Sequence, residues 1–337
     1  MVLTKLVDKG TSEYIKGKFK SAIVYYKKGL DITNNKLPRA TIHYNIGLSY
    51  YSLREYADAQ FHFQRSVDFG RSASNWELCL CKLHLNDITG LELFDYRPDK
   101  SSNVHVQMPI PEIKSKDELK DCKKLLVLNE QGFGDELLFS RGLELLKNIE
   151  FNYQVYPENL DLFKTFFNGN FFTERVVGYD FILDYDKWIL TGDLFKYYTQ
   201  EKGIYPIFPE IDYPIEKNGT GFCFQTNQLS PNAKLRSVSI DTMRNKVLLN
   251  KKNLISLQKD IKLDFAHCPT LSTFLDTFNI IKGLEEVITI DTAVAHLAAI
   301  CKVKTYLLYT DYIDWRWKIN FYGNHVIPVK VQNFEYL

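Results

Sequence analysis

The first hundred residues contain a repeat, and this feature limits the fold more than any other. Five positions recur at a constant offset of 37 residues, which pairs Gly10 with Gly47, Tyr14 with Tyr51, Phe19 with Tyr56, Ala22 with Ala59 and Tyr26 with Phe63. Small residues at the Gly and Ala positions let two helices approach closely, and the aromatic rings fill the space between them. The pattern therefore favours stacked helix-turn-helix units over an unrelated helical bundle.

The spacing inside the second unit is typical of a known repeat. Gly47-x2-Tyr50 is followed by Tyr56-x2-Ala59-x3-Phe63, which resembles a tetratricopeptide repeat. That repeat has a period of about 34 residues, and the segment TNNKLPRAT lengthens the connection here. A third, degenerate unit at residues 74–97 is predicted to close the array, so the all-α part covers residues 1–97.

Residues 98–122 interrupt this pattern. They carry three prolines, several charges and little apolar periodicity. We predict a linker, or a strap that lies across the following domain.

From residue 123 onward, strand-like runs alternate with helix-like runs, which predicts parallel sheets. The predicted strands are residues 123–130, 153–157, 180–185, 219–227, 253–260, 285–291 and 304–309, and the predicted helices are residues 136–148, 237–250, 271–282 and 292–301. We expect two Rossmann-like halves, residues 123–215 and 216–337, that face a cleft with ligands at the carboxyl ends of the strands.

Composition excludes several classes of protein. The net charge is +1, so no global field attracts nucleic acid or a membrane. The N-terminus lacks the apolar core of a signal peptide, and no apolar run reaches the length of a membrane span. The six cysteines have neither zinc nor redox spacing, which favours reduced thiols and a cytoplasmic location.

The stretch EEVITIDTAVAHLAAI, residues 285–300, reads as a buried strand that runs into a small-residue helix. Asp291 stands where a helix N-cap is expected, and Thr292, Ala293 and His296 follow it. The free amides and the dipole of a helix N-terminus favour a phosphate. A capped helix with a hydrogen-bonded core histidine is an equally good interpretation of these residues alone.

The segment LNEQGFGDELLFSR places Gly132 and Gly134 between a strand and a helix. Glycines there allow a tight turn and a close approach of the backbone. Asp135 starts the helix and is either an N-cap or a general base. Glu130 is the second carboxylate of this loop and a second catalytic candidate. The dinucleotide fingerprint is broken, because Leu137 stands where it requires a third glycine.

A local excess of positive charge lies between residues 232 and 262, with eight Lys and Arg against two Asp. Most are expected on a solvated surface, but Arg236 and Lys259 lie in or beside turns that follow strands, from which either could reach a diphosphate. Farther along, Trp315 and Trp317 are either a core lid or a stacking surface for a base or a sugar ring.

Four motifs occur in a fixed order behind the repeats, namely EQGFGDELLFSR, SLQKD, VITIDTAVAHLAA and DWRW. The set resembles bacterial and phage tetratricopeptide-repeat proteins whose C-terminal part is similar to the ADP-heptose:lipopolysaccharide heptosyltransferases of glycosyltransferase family 9. This resemblance implies a GT-B fold and metal-independent sugar transfer from a nucleotide-sugar donor, with no other cofactor. By position it places Asp291, Thr292, Ala293 and His296 at the donor phosphates, makes Asp135 the acceptor base, and puts Gln258 and Lys259 in the cleft.

Two features depart from the family pattern. FQTNQLSP stands where relatives have a WSGNP-like stretch, and Glu136 follows the Gly-Asp pair where they tend to have Thr.

Three hypotheses follow from these observations. The first is an inverting glycosyltransferase whose repeats bind or orient an acceptor, which is a glycan, a protein or a modified nucleic acid. The second is a repeat-based interaction scaffold with an inactive or merely nucleotide-binding GT-B part. The third is a glycosyltransferase that acts on a polyanionic acceptor such as modified DNA. The sequence predicts no particular oligomeric state.

Overall fold

A computed structural model of the chain describes residues 2–101, 108–174, 179–204, 216–226, 233–319 and 321–336. The chain divides into two compact units, an N-terminal unit of residues 1–103 and a C-terminal unit of residues 104–337. Three sequence predictions fall partly outside the described residues, namely the linker at 102–107, the end of the first half at 215 and the FQTNQLSP segment at 227–231. No helix among the described residues combines the length and the apolar character that a membrane span requires.

The described part of the N-terminal unit is helical. Its helices are α1 (Val2–Ile15), α2 (Phe19–Asp31), α3 (Lys36–Ser52), α4 (Tyr56–Asp68), α5 (Asn75–His84) and α6 (Pro98–Ser101), with 3-10 turns at Ser72–Ser74 and Ile88–Tyr96. Each helix from α1 to α4 packs against the next one along the chain, and α5 packs against the second 3-10 turn.

The same close contact occurs in both of the first two hairpins. A Cβ added at Gly10 would lie 2.5 Å from the Tyr26 ring, and one added at Gly47 would lie 2.7 Å from the Phe63 ring. Real Cβ atoms do not approach other atoms so closely, which explains the glycine at each position. The two contacts are related by the offset of 37 residues that the sequence shows.

The first half of the C-terminal unit surrounds a four-stranded parallel sheet. Its elements are β1 (Lys124–Leu128), α7 (Phe133–Phe139), β2 (Glu150–Gln154), α8 (Leu160–Phe166), β3 (Asn170–Phe172), α9 (Tyr179–Leu183), β4 (Lys187–Leu190) and α10 (Thr191–Lys202), with 3-10 turns at Lys116–Leu119, Ser140–Leu146 and Pro157–Asn159. The strand order is β3-β2-β1-β4.

The described residues after 107 that were predicted to be linker belong to this half. They run beside β4, where Trp188 N donates to Pro111 O at 3.0 Å and Ile113 N donates to Trp188 O at 2.9 Å. Ile110 and Ile113 are buried there, and each contributes about 2 kcal/mol by leaving water. This part of the segment is thus a strap along a sheet edge, the alternative that the sequence left open.

The second half surrounds a five-stranded parallel sheet. Its elements are β5 (Thr220–Cys223), α11 (Ala233–Arg236), α12 (Ile240–Thr242), β6 (Leu254–Ser256), α13 (Phe274–Ile281), β7 (Glu286–Ile290), α14 (Ala293–Ile300), β8 (Lys304–Tyr309), α15 (Trp315–Lys318) and β9 (Val326–Lys330), with a π-helical turn at Met243–Val247 and 3-10 turns at Gly323–His325 and Val331–Tyr336. The strand order is β6-β5-β7-β8-β9. The α/β class with parallel sheets is as predicted.

Some predicted elements differ from the structure. Residues 180–185 were predicted to be a strand, but Tyr179–Leu183 is a short helix, because periodicity does not separate short apolar runs of the two kinds. Strand β9 was missed, since Pro328 argues against a central strand; here it lies on the edge strand, where proline is tolerated. The helix predicted at 237–250 is shorter and irregular.

Candidate active site

A cavity of about 570 Å³ lies at the carboxyl ends of strands from both sheets of the C-terminal unit. The strand order reverses between β1 and β4 in the first sheet and between β5 and β7 in the second. The loops after β1, β5 and β7 therefore begin beside these switch points, where open α/β sheets bind ligands. Those loops line the cavity together with the segments that follow β2, β6 and β8, and their residues include Gly132, Asp135, Tyr156, Gln225, Gln258, Asp291 and Arg316.

Three helices, α7, α13 and α14, begin at this cavity, and acidic side chains occupy the starts of two of them. At α7, the Asp135 carboxylate accepts from Gly132 N at 3.1 Å. At α13, Thr273 and Asp276 form a reciprocal capping box. Helix α14 has no acidic residue in its first turn, and its N-cap residue makes no side-chain cap bond within the described residues. The amides of α14 are thus the ones left open to an anion.

The N-cap of α14 is Thr292, which corrects the sequence prediction that Asp291 caps this helix. The Asp291 carboxylate instead pairs with Arg236 Nη1 at 3.3 Å and accepts from Trp317 Nε1 at 2.8 Å. Burial and the nearby Asp314 raise the pKa of Asp291, and Arg236 opposes that rise. Asp291 therefore holds Arg236 at the cavity and does not fill the helix terminus.

His296 lies one turn into α14 and is 3% exposed. Its Nδ1 is 2.7 Å from the Tyr322 hydroxyl, and its ring centroid is 4.5 Å from that of Trp317. Burial, with the positive charges of Arg316 and Arg141, lowers the pKa of His296 to about 3. The imidazole is therefore neutral at physiological pH.

His296 is part of the cavity lining, and its helix α14 also packs against α7 of the first half. A Cβ added at Gly134 would lie 2.7 Å from His296 Cδ2 and 3.0 Å from its Nε2. Gly134 thus serves close packing of the two halves. The left-handed residue of the β1–α7 turn is Gln131, with φ of 60°, whereas Gly132 has an extended backbone with φ of −104°.

Asp135 faces the cavity but its carboxylate is already engaged. Besides the Gly132 amide, it contacts Arg316 Nη2 at 2.5 Å. The same Nη2 donates to Gln131 Oε1 at 2.9 Å, and Nη1 donates to Asp314 Oδ1 at 2.8 Å. Sequence reasoning did not assign Arg316 a role, because nothing in the chain signals a contact between positions 185 residues apart.

Three predicted candidates lie away from the cavity opening. Glu130 is buried, is not part of the cavity lining, and accepts from Gly192 N at 2.7 Å at the start of α10. Trp315 and Trp317 are 1% and 6% exposed, so they are packed side chains and offer no open stacking surface. Their placement agrees with the core interpretation of this aromatic cluster.

Glu136, the residue after the Gly-Asp pair, is fully buried. Its carboxylate accepts from Asn129 Nδ2 at 3.1 Å, Asn159 Nδ2 at 2.5 Å and Tyr156 N at 3.2 Å. It therefore fastens the segment after β2, including the cavity residue Tyr156, to the start of α7. Tyr156 also donates its hydroxyl to Gln131 O.

The remaining predicted residues lie on the second-half wall of the cavity. Gln258 Oε1 accepts from Gln225 N at 3.0 Å, Lys259 is exposed at the rim, and Arg236 is partly buried. Of the eight basic residues between 232 and 262, the exposed ones are Lys234, Arg244, Lys246, Lys252, Lys259 and Lys262. The structure describes no group of three or more His, Cys, Asp or Glu side chains placed to hold a metal ion.

Neither a protein-family model nor a curated protein matches the chain. Solved structures to which it is similar include glycosyltransferases. One is E. coli heptosyltransferase WaaC with ADP, at 9% identity over 62% of this chain and 93% of that chain, with a TM-score of 0.40. Another is a glycosyl transferase of family 9 from Veillonella parvula DSM 2008, at 10% identity over 63% and 86%, with a TM-score of 0.45.

A third similar structure is an O-GlcNAc transferase mutant from Thermobaculum terrenum, at 10% identity over 99% of this chain and 88% of that chain, with a TM-score of 0.33.

Proposed function

We propose that the chain is an inverting glycosyltransferase that moves a sugar from a nucleotide-sugar donor to a hydroxyl acceptor without a metal ion. The observation that carries this proposal is the open N-terminus of α14 in a cavity that also holds Arg236 and Asp135. The motif resemblance supports the same reaction, with a GT-B arrangement of the two halves and tetratricopeptide repeats before them.

The donor diphosphate is proposed to bind at Thr292 and Ala293. The free amides and the positive end of the α14 dipole stabilise negative charge there. Arg236 adds a guanidinium that Asp291 holds in place, and Lys259 at the rim adds an ammonium. Together these groups balance the charge of a departing diphosphate, which is the task a metal ion performs elsewhere.

His296 contributes no charge to this site, because its pKa of about 3 keeps the ring neutral. We propose that it fixes the position of α14 against Gly134 and Tyr322, so that the open amides keep their direction toward the donor.

The transfer step needs a base and a leaving group. Asp135 takes the proton of the acceptor hydroxyl. The oxygen of that hydroxyl forms a bond to the anomeric carbon from the face opposite the diphosphate. The bond from that carbon to the diphosphate oxygen breaks, and the nucleoside diphosphate leaves with the electron pair. Attack from the opposite face inverts the anomeric configuration.

The helical N-terminal unit is proposed to bind or orient the acceptor. Two observations also fit the two alternative functions. The engagement of Asp135 by Arg316 also suits an inactive scaffold, and the six exposed basic residues also suit a polyanionic acceptor such as modified DNA. The cytoplasmic location remains a prediction from the cysteines.

A thermal-shift screen with nucleotide sugars and the matching nucleoside diphosphates tests the proposal. We expect one nucleotide series to raise the melting temperature in the presence of EDTA, and the matching sugar nucleotide to be hydrolysed slowly when no acceptor is added. If no compound of any series shifts the melting temperature or is hydrolysed, the scaffold hypothesis replaces the enzyme.

A further inference from the structure

We propose that Arg316 changes partner when the donor diphosphate binds, and that this exchange releases Asp135 to act on the acceptor. The proposal deepens the proposed function and rests on it, because it takes the diphosphate site at α14 and the role of Asp135 as given. It makes Arg316 a donor-sensing residue that the sequence did not identify.

In the structure, Arg316 forms an ion pair with Asp135, the proposed base. Its Nη2 is 2.5 Å from Asp135 Oδ1, and the Gly132 amide donates to the other carboxylate oxygen at 3.1 Å. An acceptor hydroxyl that approaches Asp135 has to compete with the guanidinium for the same oxygen. Charge-assisted bonds of this kind are about twice as strong as neutral ones, so the base is masked.

The rest of the Arg316 side chain is held independently of Asp135. Nη1 donates to Asp314 Oδ1 at 2.8 Å, and the guanidinium carbon lies 4.6 Å from the centre of the Trp315 ring. Nε is buried and has no hydrogen-bond partner among the described residues. In the proposed exchange, Nη2 gives up its contacts with Asp135 and Gln131 and turns to a phosphate, while Asp314 and Trp315 keep the guanidinium at the cavity.

Arg316 and the start of α14 line the same cavity. The next residue, Trp317, donates to Asp291 at 2.8 Å, and its ring centroid lies 4.5 Å from that of His296. Burial raises the pKa of Asp291 against the opposing charges of Arg236 and Arg316, and burial lowers the pKa of His296 with help from Arg316. A diphosphate presents more negative charge than one carboxylate, so it is the stronger partner for the guanidinium.

The exchange makes catalysis conditional on the donor. Before the donor binds, Asp135 is masked; afterwards it is available for the acceptor proton. The donor therefore binds before a productive acceptor.

A double-mutant cycle of Asp135→Asn, Arg316→Met and the double variant tests the exchange. The affinity of each full-length protein for inorganic pyrophosphate, UDP and ADP is measured by calorimetric titration in the presence of EDTA. We expect Asp135→Asn to bind the diphosphate probes about fivefold more tightly, because Arg316 is no longer held by a carboxylate. In the Arg316→Met background the same substitution should change affinity by less than about twofold.

Arg244→Met is the matched control. Arg244 also pairs with a carboxylate, Asp264 at 3.3 Å, and its guanidinium lies 4.8 Å from the centre of the Phe265 ring, but it is exposed and does not line the cavity. This variant should leave the probe affinities unchanged. If Arg316→Met does not fold, Arg316→Lys replaces it in the cycle, since lysine keeps the charge but loses the forked geometry.

Two results would overturn the proposal, and they are distinguishable. An equal effect of Asp135→Asn in both backgrounds means that only the net charge of the cavity matters, which removes the exchange and leaves the proposed function standing. Failure of the unmodified chain to bind the three probes, and every other nucleoside diphosphate of the thermal-shift screen, removes both.

Discussion

At the scale of single residues, Asp135 is the proposed base of the transfer step. We expect Asp135→Asn to lower turnover by about 10²- to 10⁴-fold, the usual contribution of a positioned base, while donor binding persists. Release of nucleoside diphosphate from the donor found by thermal shift measures this. Asp264→Asn, an exposed carboxylate with its own arginine partner, is the control. Unchanged turnover in Asp135→Asn would assign the base to another group.

Glu136 is predicted to contribute to the free energy of unfolding and not to the charge of the cavity. Glu136→Gln turns an amide group toward donors that now meet a carboxylate, which should cost about 1–3 kcal/mol of the free energy of unfolding. Urea denaturation measures the change, and exposed Glu285→Gln should stay within about 0.5 kcal/mol. Equal stability of the two variants would mean that the buried contacts of Glu136 contribute nothing.

His43 and His62 give the N-terminal unit a pH dependence. Their Nδ1 atoms are 2.9 Å apart, so one ring donates a hydrogen bond to the other. This bond requires that at least one of the two rings is neutral. Burial lowers the pKa of each from 6.5 to about 4; Arg39 adds to the effect at His43, and His43 itself adds to it at His62. Between these values the unfolded chain binds more protons than the folded one, so the free energy of unfolding falls as the pH falls.

The loss is expected between pH 6.5 and about 4, with a slope of up to about 1.4 kcal/mol per pH unit for each proton. Urea unfolding followed by far-ultraviolet circular dichroism measures it. In His62→Gln the slope should be smaller, whereas exposed His267→Gln should keep it. A slope that is the same in all three proteins would contradict the role of the pair.

Which side chains meet was only partly predictable from the sequence. Asp135, Arg236 and Asp291 do line one cavity, because residues that follow parallel strands collect at one sheet edge. Glu130 is directed into the first half instead, and the two tryptophans are buried. Sequence spacing does not specify the direction of a side chain in a loop, so these three could not be separated from the others.

At the scale of elements, the open start of α14 can be closed by one substitution. Thr292→Asp places a carboxylate where an N-cap side chain accepts from the first-turn amides. We expect the variant to keep its melting temperature but to lose at least about tenfold in diphosphate affinity, since the carboxylate fills and neutralises the anion site. Calorimetry with the best nucleoside diphosphate measures this.

Ser239→Asp is the control for that substitution. It changes the N-cap of α12, which does not line the cavity, and it should leave diphosphate affinity within about twofold. Undiminished binding in Thr292→Asp would mean that the phosphates do not use α14.

Elements were predictable where a long pattern decides their type. The runs around β1, β5, β7 and β8 are apolar and were found, whereas α9 was taken for a strand and the edge strand β9 was missed. The capping state of each helix was not predictable either, because Asp291 is next to α14 in sequence but turns to Arg236 and Trp317. Tertiary partners decide this, and a single sequence does not reveal them.

At the scale of the whole molecule, the charge distribution separates the possible acceptors. With a net charge of +1 and a local group of exposed lysines and arginines, we expect only weak binding to unmodified duplex DNA that is lost between about 50 and 200 mM salt. Fluorescence anisotropy with a labelled duplex measures it. Tight binding at the higher salt concentration would favour the polyanionic acceptor instead.

The central claim is that the start of α14 receives the diphosphate of an activated sugar. A crystal structure of the chain with the nucleoside diphosphate that gives the largest thermal shift tests it most directly. We expect phosphate oxygens within hydrogen-bond distance of the Ala293 and Val294 amides, with Arg236 beside them. Phosphates bound elsewhere, with the α14 amides covered by protein side chains, would contradict the claim.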